Sequence, residues 1–147
     1  MSGENRKSAA RLYAVQALFQ MEAADSALDD IVPEFLTHRF GARDDGRDWV
    51  EGHIGLFRVL IKQAVNHQAR IDQATDDALV DRWPIDRIDP TLRAIFRAAG
   101  AELLTGEAPR KVVISEYIEI TKDFFPQGKE PGFANAILDA MARRLSP

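Results

Sequence analysis

The chain has 147 residues, a formal net charge of -4 and no cysteine. Its length is typical of one domain, and 46% hydrophobic residues are enough to form a core. The lack of cysteine excludes a disulfide framework, a thiolate zinc site and a cysteine nucleophile. No apolar run approaches the roughly 20 residues of a membrane span, and no signal peptide is recognisable. We expect a cytoplasmic protein without overall basic charge, so any RNA binding needs a local basic patch.

A basic, alanine-rich segment follows residues 1–5, which we expect to be disordered. Its apolar positions recur at helical spacing and predict a helix from Arg6 to about Ala24. Arg6, Lys7 and Arg11 make its start the one clearly basic region of an acidic chain. Such cations neutralise phosphates, and arginine also stacks on unpaired bases. From composition alone, a solvated helix start is the commoner explanation.

Further helices are predicted in the first half of the chain. A short helix follows an N-cap at Asp25-Ser26, and Pro33 either starts or kinks this helix. Residues 41–46 have the composition of a charged loop, and a long helix follows over about 48–70. Another helix covers about 71–81, either separate from the long one or continuous with it.

Proline and glycine divide the second half of the chain into further helices. Trp83-Pro84 ends the preceding region, because the residue before proline disfavours the helical conformation. Asp89 is a good N-cap for a helix that begins with Pro90 and closes at Gly106. The stretch 111–145 then contains two amphipathic helices joined by a short turn.

No stretch alternates polar and apolar residues for long enough to predict a sheet. The predicted fold is therefore all-α, with about seven helices. One domain spans residues 1–147, and it consists of two small bundles packed together, about 6–70 and about 71–145. The breaks between helices are too short for a linker between independent domains.

Three blocks of the sequence are more specific than their helical periodicity. The first helix contains R-x-x-A-x-Q-A-L-F, the middle contains W-x-x-x-R-I-D, and the C-terminal part contains V-x-I-x-E-x-I-E-x-x-K-x-F and F-x-N-x-x-L-D. The residues of these blocks are Arg11, Ala14, Gln16, Ala17, Leu18, Phe19, Trp83, Arg87, Ile88, Asp89, Val112, Ile114, Glu116, Ile118, Glu119, Lys122, Phe124, Phe133, Asn135, Leu138 and Asp139. In this wording and order the chain resembles the NusB family of transcription antitermination factors.

The resemblance implies a non-catalytic adaptor that binds the single-stranded boxA element of ribosomal RNA leader transcripts. It implies a NusE-type ribosomal protein, other Nus factors and RNA polymerase as partners, with no cofactor and no metal. The implied RNA-binding residues are Arg6, Lys7, Arg11, Gln16, Lys122 and Phe133. The implied partner-binding residues are Phe19, Arg97 and Lys129. If about three phosphates are engaged, log affinity against log salt should have a slope near -2.

Two features weaken the transfer of these roles. Ser8, Ala9 and Ala10 stand where many relatives have a denser arginine run, which implies weaker intrinsic RNA binding. Phe19 and Phe133 are residue types found more often in a core than in a site. Phe133 nevertheless follows a Pro-Gly turn directly, where a ring can be partly exposed.

Two other functions compete with that of the adaptor. NusB-like domains also occur in rRNA cytosine-5 methyltransferases, but we expect no downstream catalytic domain here, and no cysteine is present for the covalent step. The histidines His38, His53 and His67 are scattered, and no H-E-x-x-H spacing occurs. A helical protein-interaction domain or homodimer without a role in RNA binding stays open.

Overall fold

The computed structural model describes residues 3–40, 43–44, 47–48, 52–79 and 87–147. Within these ranges the chain forms seven α-helices and a hairpin with two residues in each strand. The elements are α1 (Gly3–Ala24), α2 (Leu28–His38), β1 (Arg43–Asp44), β2 (Arg47–Asp48), α3 (Ile54–Asn66), α4 (Gln68–Leu79), α5 (Pro90–Thr105), α6 (Arg110–Phe124) and α7 (Glu130–Leu145). The predicted all-α fold is confirmed. The antiparallel hairpin lies where a charged loop was predicted.

α5 is the helix around which the others are arranged. It contacts α1, α3, α4, α6 and α7, and most of its length is buried. Small residues on α5 allow its neighbours to approach closely. At Gly100, for example, an added Cβ would lie 2.5 Å from Cγ2 of Ile71 on α4. Helices from both ends of the chain therefore share one hydrophobic core.

Aromatic rings fill the space between α1, α2 and α3. The ring of Phe57 stacks on Phe35 at 5.8 Å between centroids and meets Phe40 edge-on at 4.9 Å. Phe40 in turn lies edge-on to Tyr13 at 5.0 Å. The division into two bundles near residue 70 stays a prediction. α5 belongs to the second predicted bundle, but it packs against α1 and α3 of the first as well as against α6 and α7.

Local signals set both ends of α5, as predicted. Oδ1 of Asp89 accepts a hydrogen bond from the backbone N–H of Thr91 at 2.7 Å. Pro90 occupies the first turn, where its missing N–H leaves no helical hydrogen bond unmade. Gly106 ends the helix with a φ of 66°, in the left-handed region that favours glycine.

The ends of α1 and α2 differ from the prediction. α1 already begins at Gly3, so the start of the chain is helical from that residue rather than disordered to residue 5. Asp25 adopts a φ of 51° after α1, and Ala27 precedes α2 without a side-chain cap. The predicted cap at Asp25-Ser26 is therefore wrong. α2 also runs through Pro33, which excludes the alternative that it starts there.

The predicted long helix is shorter at both ends and is separate from the next one. α3 begins at Ile54, where Nδ1 of His53 accepts a hydrogen bond from the N–H of Leu56 at 2.9 Å. A turn at His67 separates α3 from α4. The predicted break at Trp83-Pro84 lies outside the described residues.

Candidate nucleic-acid interface

The first turns of α1 carry two exposed cations, Arg6 and Lys7. Neighbouring helices hold this end of α1 in place. The backbone N–H of His53, just before α3, donates to the carbonyl oxygen of Arg6 at 2.9 Å. The hydroxyl of Ser8 donates to Oε1 of Glu116 on α6 at 2.7 Å. The predicted basic patch therefore exists at these two positions, on a helix end that is anchored to α3 and α6.

Arg11, the third predicted cation, is buried at 4% exposure. Its guanidinium forms a two-pronged ion pair with Glu102 of α5, with both N···O distances at 2.8 Å. Its remaining nitrogen donates to Glu116 at 2.7 Å. Burial disfavours the charged guanidinium, but the hydrogen bonds and charge of Glu102 outweigh it and raise the pKa of Arg11. The predicted contact between Arg11 and RNA stays a prediction, and the structure places the charge of this residue inside the fold, where carboxylates already neutralise it.

Tyr117 completes this buried polar group. Its hydroxyl donates to Oε1 of Glu102 at 3.0 Å. Burial, and then the negative charge of Glu102, hold the pKa of the phenol well above its ordinary value, so the hydroxyl keeps its proton. The group joins α1, α5 and α6, and two of its members, Arg11 and Glu102, line the same groove as Lys7.

A groove of about 790 Å³ lies between the starts of α1 and α3 and the α5–α6 connection. Lys7 and Lys111 line it, and neither makes an ion pair within the described part of the chain. Its apolar lining is aliphatic and consists of Leu56, Val59, Ala108, Pro109 and Val112. The other charged side chains that line it are Arg11, Glu102, Glu107 and Glu116. The charges of its three cations and three carboxylates cancel, so the groove has no strong net positive potential. Its lysines can attract an anion only at close range.

A second groove runs between α6 and the start of α7. Its lining on α6 includes Lys111, Ser115, Ile118 and Lys122. These positions lie three or four residues apart and therefore form one stripe of the helix. Nζ of Lys122 contacts Oε1 of Glu119 at 3.1 Å on the surface. Such an exposed pair contributes little free energy, so Lys122 can exchange it for another anion.

The remaining predicted RNA-binding residues are less open. Gln16 is half-buried, and its amide oxygen is buried without a hydrogen-bond partner among the described atoms. Phe133 is half-buried in the first turns of α7, with its ring centroid 6.5 Å from that of Phe96. The structure thus places Phe133 at the edge of the core, with part of the ring accessible.

The three predicted partner-binding residues lie on or beside three different helices. Phe19 is 40% exposed on α1, and Lys129 is exposed just before α7. Arg97 on α5 is engaged within the protein, since it donates to both carboxylate oxygens of Asp72, at 3.0 and 2.8 Å, and to Glu22 at 2.9 Å. The predicted contact at Arg97 therefore needs these internal bonds to be shared or broken.

The carboxylate of Glu22, near the end of α1, accepts hydrogen bonds from two arginines. Arg93 donates two hydrogen bonds to its carboxylate and Arg97 donates one. The hydrogen bonds from Arg93 are the main cause of a pKa of Glu22 below its ordinary value. This second group of charges joins α1, α4 and α5 at the opposite end of α1 from the basic cations.

Sequence reasoning missed Lys111 as a site residue and the pairing of Arg11 with Glu102. Lys111 was detectable, because Lys111 and Lys122 are 11 residues apart and share a face of α6. Among the described residues no group of three or more His, Cys, Asp or Glu side chains is placed to hold a metal ion. No helix in the same ranges is long and apolar enough to cross a membrane.

Comparisons with known proteins match nearly the whole chain. Residues 8–143 match the model of the NusB family. A transcription antitermination protein NusB of Maricaulis maris is 45% identical over 98% of this chain and 92% of its own length. The corresponding protein of Nitrobacter hamburgensis is 42% identical, over 96% of this chain and 88% of its own length.

Solved structures agree with the sequence relatives. The structure of T. maritima NusB matches with a TM-score of 0.77 and 28% identity, over 95% of this chain and 92% of that one. A structure of the antitermination factors NusB and NusE in complex with double-stranded RNA matches with a TM-score of 0.70 at 20% identity, which shows the shared fold. This chain belongs to the NusB family.

Proposed function

We propose that this chain is a transcription antitermination factor that binds boxA-type single-stranded RNA together with a NusE-type ribosomal protein. The observation that carries the RNA-binding part is the pair of open cations, Arg6 and Lys7, on an anchored helix end. The full-length similarity to a protein named transcription antitermination protein NusB supports the biological role. The solved complex of NusB, NusE and double-stranded RNA, which this chain matches in fold, supports the choice of partner.

The RNA strand follows the basic side chains from α1 onto α6. Arg6 and Lys7 contact phosphates first, Lys111 lies in the same groove as Lys7, and Lys122 continues the stripe along α6. Phosphate contacts of this kind fix the position of the strand without reading its sequence. The partly accessible ring of Phe133 provides a surface on which a base can stack.

The protein acts without catalysis, as an adaptor in the cytoplasm. Its net charge is -4, so a few local cations give only modest affinity for RNA. A NusE-type partner completes the binding surface and makes contact through Phe19, Arg97 and Lys129. The complex then joins other Nus factors and RNA polymerase to suppress termination.

Fluorescence anisotropy with a labelled boxA RNA and a scrambled RNA of the same composition tests this function. We expect preference for boxA and tighter binding when the NusE-type protein is added. Arg6→Glu combined with Lys7→Glu should weaken binding at least about tenfold, because two phosphate contacts become repulsions. Lys62→Glu is the matched control, since Lys62 is exposed on α3 and lines a different groove, against α2. Equal binding of both RNAs by the wild type, with and without the partner, would contradict the proposal.

A protein-interaction domain or homodimer is the second candidate. The groove beside Lys7 supports it, because an aliphatic lining is typical of protein contacts and bases prefer aromatic rings. Light scattering of the purified protein over a range of concentrations tests self-association. Under this alternative, Val112→Asp would shift the measured mass towards that of the monomer. Neither the wild type nor the variant would bind RNA.

A further inference from the structure

One carboxylate oxygen holds two successive turns of α1. Oε1 of Glu116 accepts the hydroxyl of Ser8 and a guanidinium nitrogen of Arg11, each at 2.7 Å. The rest of the Arg11 guanidinium is fixed by Glu102, which is 2% exposed. The backbone bond from His53 to Arg6 adds a third attachment, nearer the helix start. The start of α1, where a helix ordinarily frays, is therefore tied to α3, α5 and α6.

We infer that Arg11 and Glu116 are positioning residues for RNA binding and that Arg11 makes no phosphate contact. Together they fix the first turns of α1, so that Arg6 and Lys7 are ordered before RNA arrives. This inference rests on the proposed function and names which of its predicted RNA-binding residues act indirectly.

The chemistry of the Arg11 site favours positioning over contact. A phosphate would have to displace a two-pronged carboxylate bond that lies almost wholly out of water. Removing one partner from such a pair leaves the other charge buried and alone, which is strongly unfavourable. An ordered helix end, by contrast, binds without first losing the conformational freedom of a frayed one.

Glu116→Ala gives a test in which the two explanations predict opposite signs. If Arg11 were a phosphate contact, losing Glu116 would free one nitrogen of its guanidinium and tighten RNA binding. If the two residues position α1, the same change loosens the helix start and weakens binding about three- to tenfold. Glu107→Ala is the matched control, because Glu107 lines the same groove, while the hydrogen bonds of Ser8 and Arg11 go to Glu116 and Glu102. Its affinity should stay equal or rise by up to roughly twofold.

Arg11→Lys gives a second, independent measurement that keeps the charge. Lysine cannot form the two-pronged bond to Glu102, so positioning predicts weaker RNA binding with an unchanged salt slope. A phosphate contact predicts that lysine largely preserves affinity. Thermal unfolding followed by circular dichroism identifies any variant that fails to fold. If a variant fails to fold, Ser8→Ala is used in its place, because it removes only the hydroxyl bond to Glu116. Ser8→Ala should also weaken RNA binding.

Hydrogen exchange separates this inference from the proposed function, because it requires no RNA. Amides in the first three turns of α1 should exchange faster in Glu116→Ala than in the wild type, while those of α7 should not change. Unchanged exchange in α1, or tighter RNA binding by Glu116→Ala, would overturn the inference even if boxA binding is real. If the wild type fails to prefer boxA RNA, the proposed function fails, and the exchange result still decides the anchoring.

Discussion

Arg11→Met tests how far the fold depends on the buried ion pair. The change keeps the length of the side chain but removes the guanidinium, which leaves Glu102 with the Tyr117 hydroxyl as its remaining hydrogen-bond donor in this group. Removing one partner of a buried pair typically costs about 3–5 kcal/mol. Glu116 is more exposed than Glu102 and adds little. For a chain of this size, that loss lowers the melting temperature by about 10 °C.

Urea unfolding followed by circular dichroism measures this cost, with the m-value as a check that both proteins unfold in the same way. Arg143→Met is the control, since Arg143 forms an exposed pair with Asp139 and should cost less than about 0.5 kcal/mol. Adding Glu102→Gln to Arg11→Met should recover part of the loss, because the buried charge is then gone. A loss below about 1 kcal/mol in Arg11→Met would refute the reasoning.

Three further changes test individual interactions. Tyr117→Phe should cost about 1 kcal/mol at neutral pH. The pKa of Tyr117 is raised in the folded protein, so its contribution to stability is present below the ordinary phenol pKa and is lost as pH rises. The difference in unfolding free energy between wild type and Tyr117→Phe should therefore be smaller above pH 10 than at pH 7. The pKa of Glu22 is lowered in the folded protein, so its ionised carboxylate stabilises the fold above the ordinary value of 4.5, and this contribution is lost as pH falls below it. The unfolding free energy of Glu22→Gln should therefore fall less steeply in acid than that of the wild type. Asp89→Ala should cost about 1 kcal/mol in urea unfolding, through loss of the N-cap of α5.

The parts of the fold that the sequence predicted depend on local signals. The ends of α5 follow from Asp89, Pro90 and Gly106, residues that act on the backbone within one turn. At Pro33 the sequence left two alternatives open, a helix start or a kink, and the structure excludes the start. A proline inside a helix is unfavourable by itself, but α2 buries Ile31 and Phe35 on either side of it. Tertiary packing thus outweighs the local penalty.

The burial of Arg11 has a different origin, because its partner Glu102 lies 91 positions away in the chain. No local pattern predicts that pairing. A partial signal was present: Arg11 shares a helical stripe with Ala14 and Leu18, both of which are buried. A cation on an apolar stripe, away from the helix start, is more typical of an internal ion pair than of a ligand contact.

If Arg11 makes no phosphate contact, as inferred above, the expected salt dependence changes. Phosphate contacts by Arg6, Lys7 and Lys122 give a slope of log affinity against log salt of about -2.1, and Lys111 as a fourth contact gives about -2.8. Lys111→Ala should therefore move the slope from the steeper value to the shallower one, with Lys62→Ala unchanged. A NusE-type partner that adds phosphate contacts must steepen the slope, whereas one that only orders the RNA raises affinity at constant slope. Measuring the slope with and without the partner therefore distinguishes these two ways in which an acidic protein can reach useful affinity for RNA.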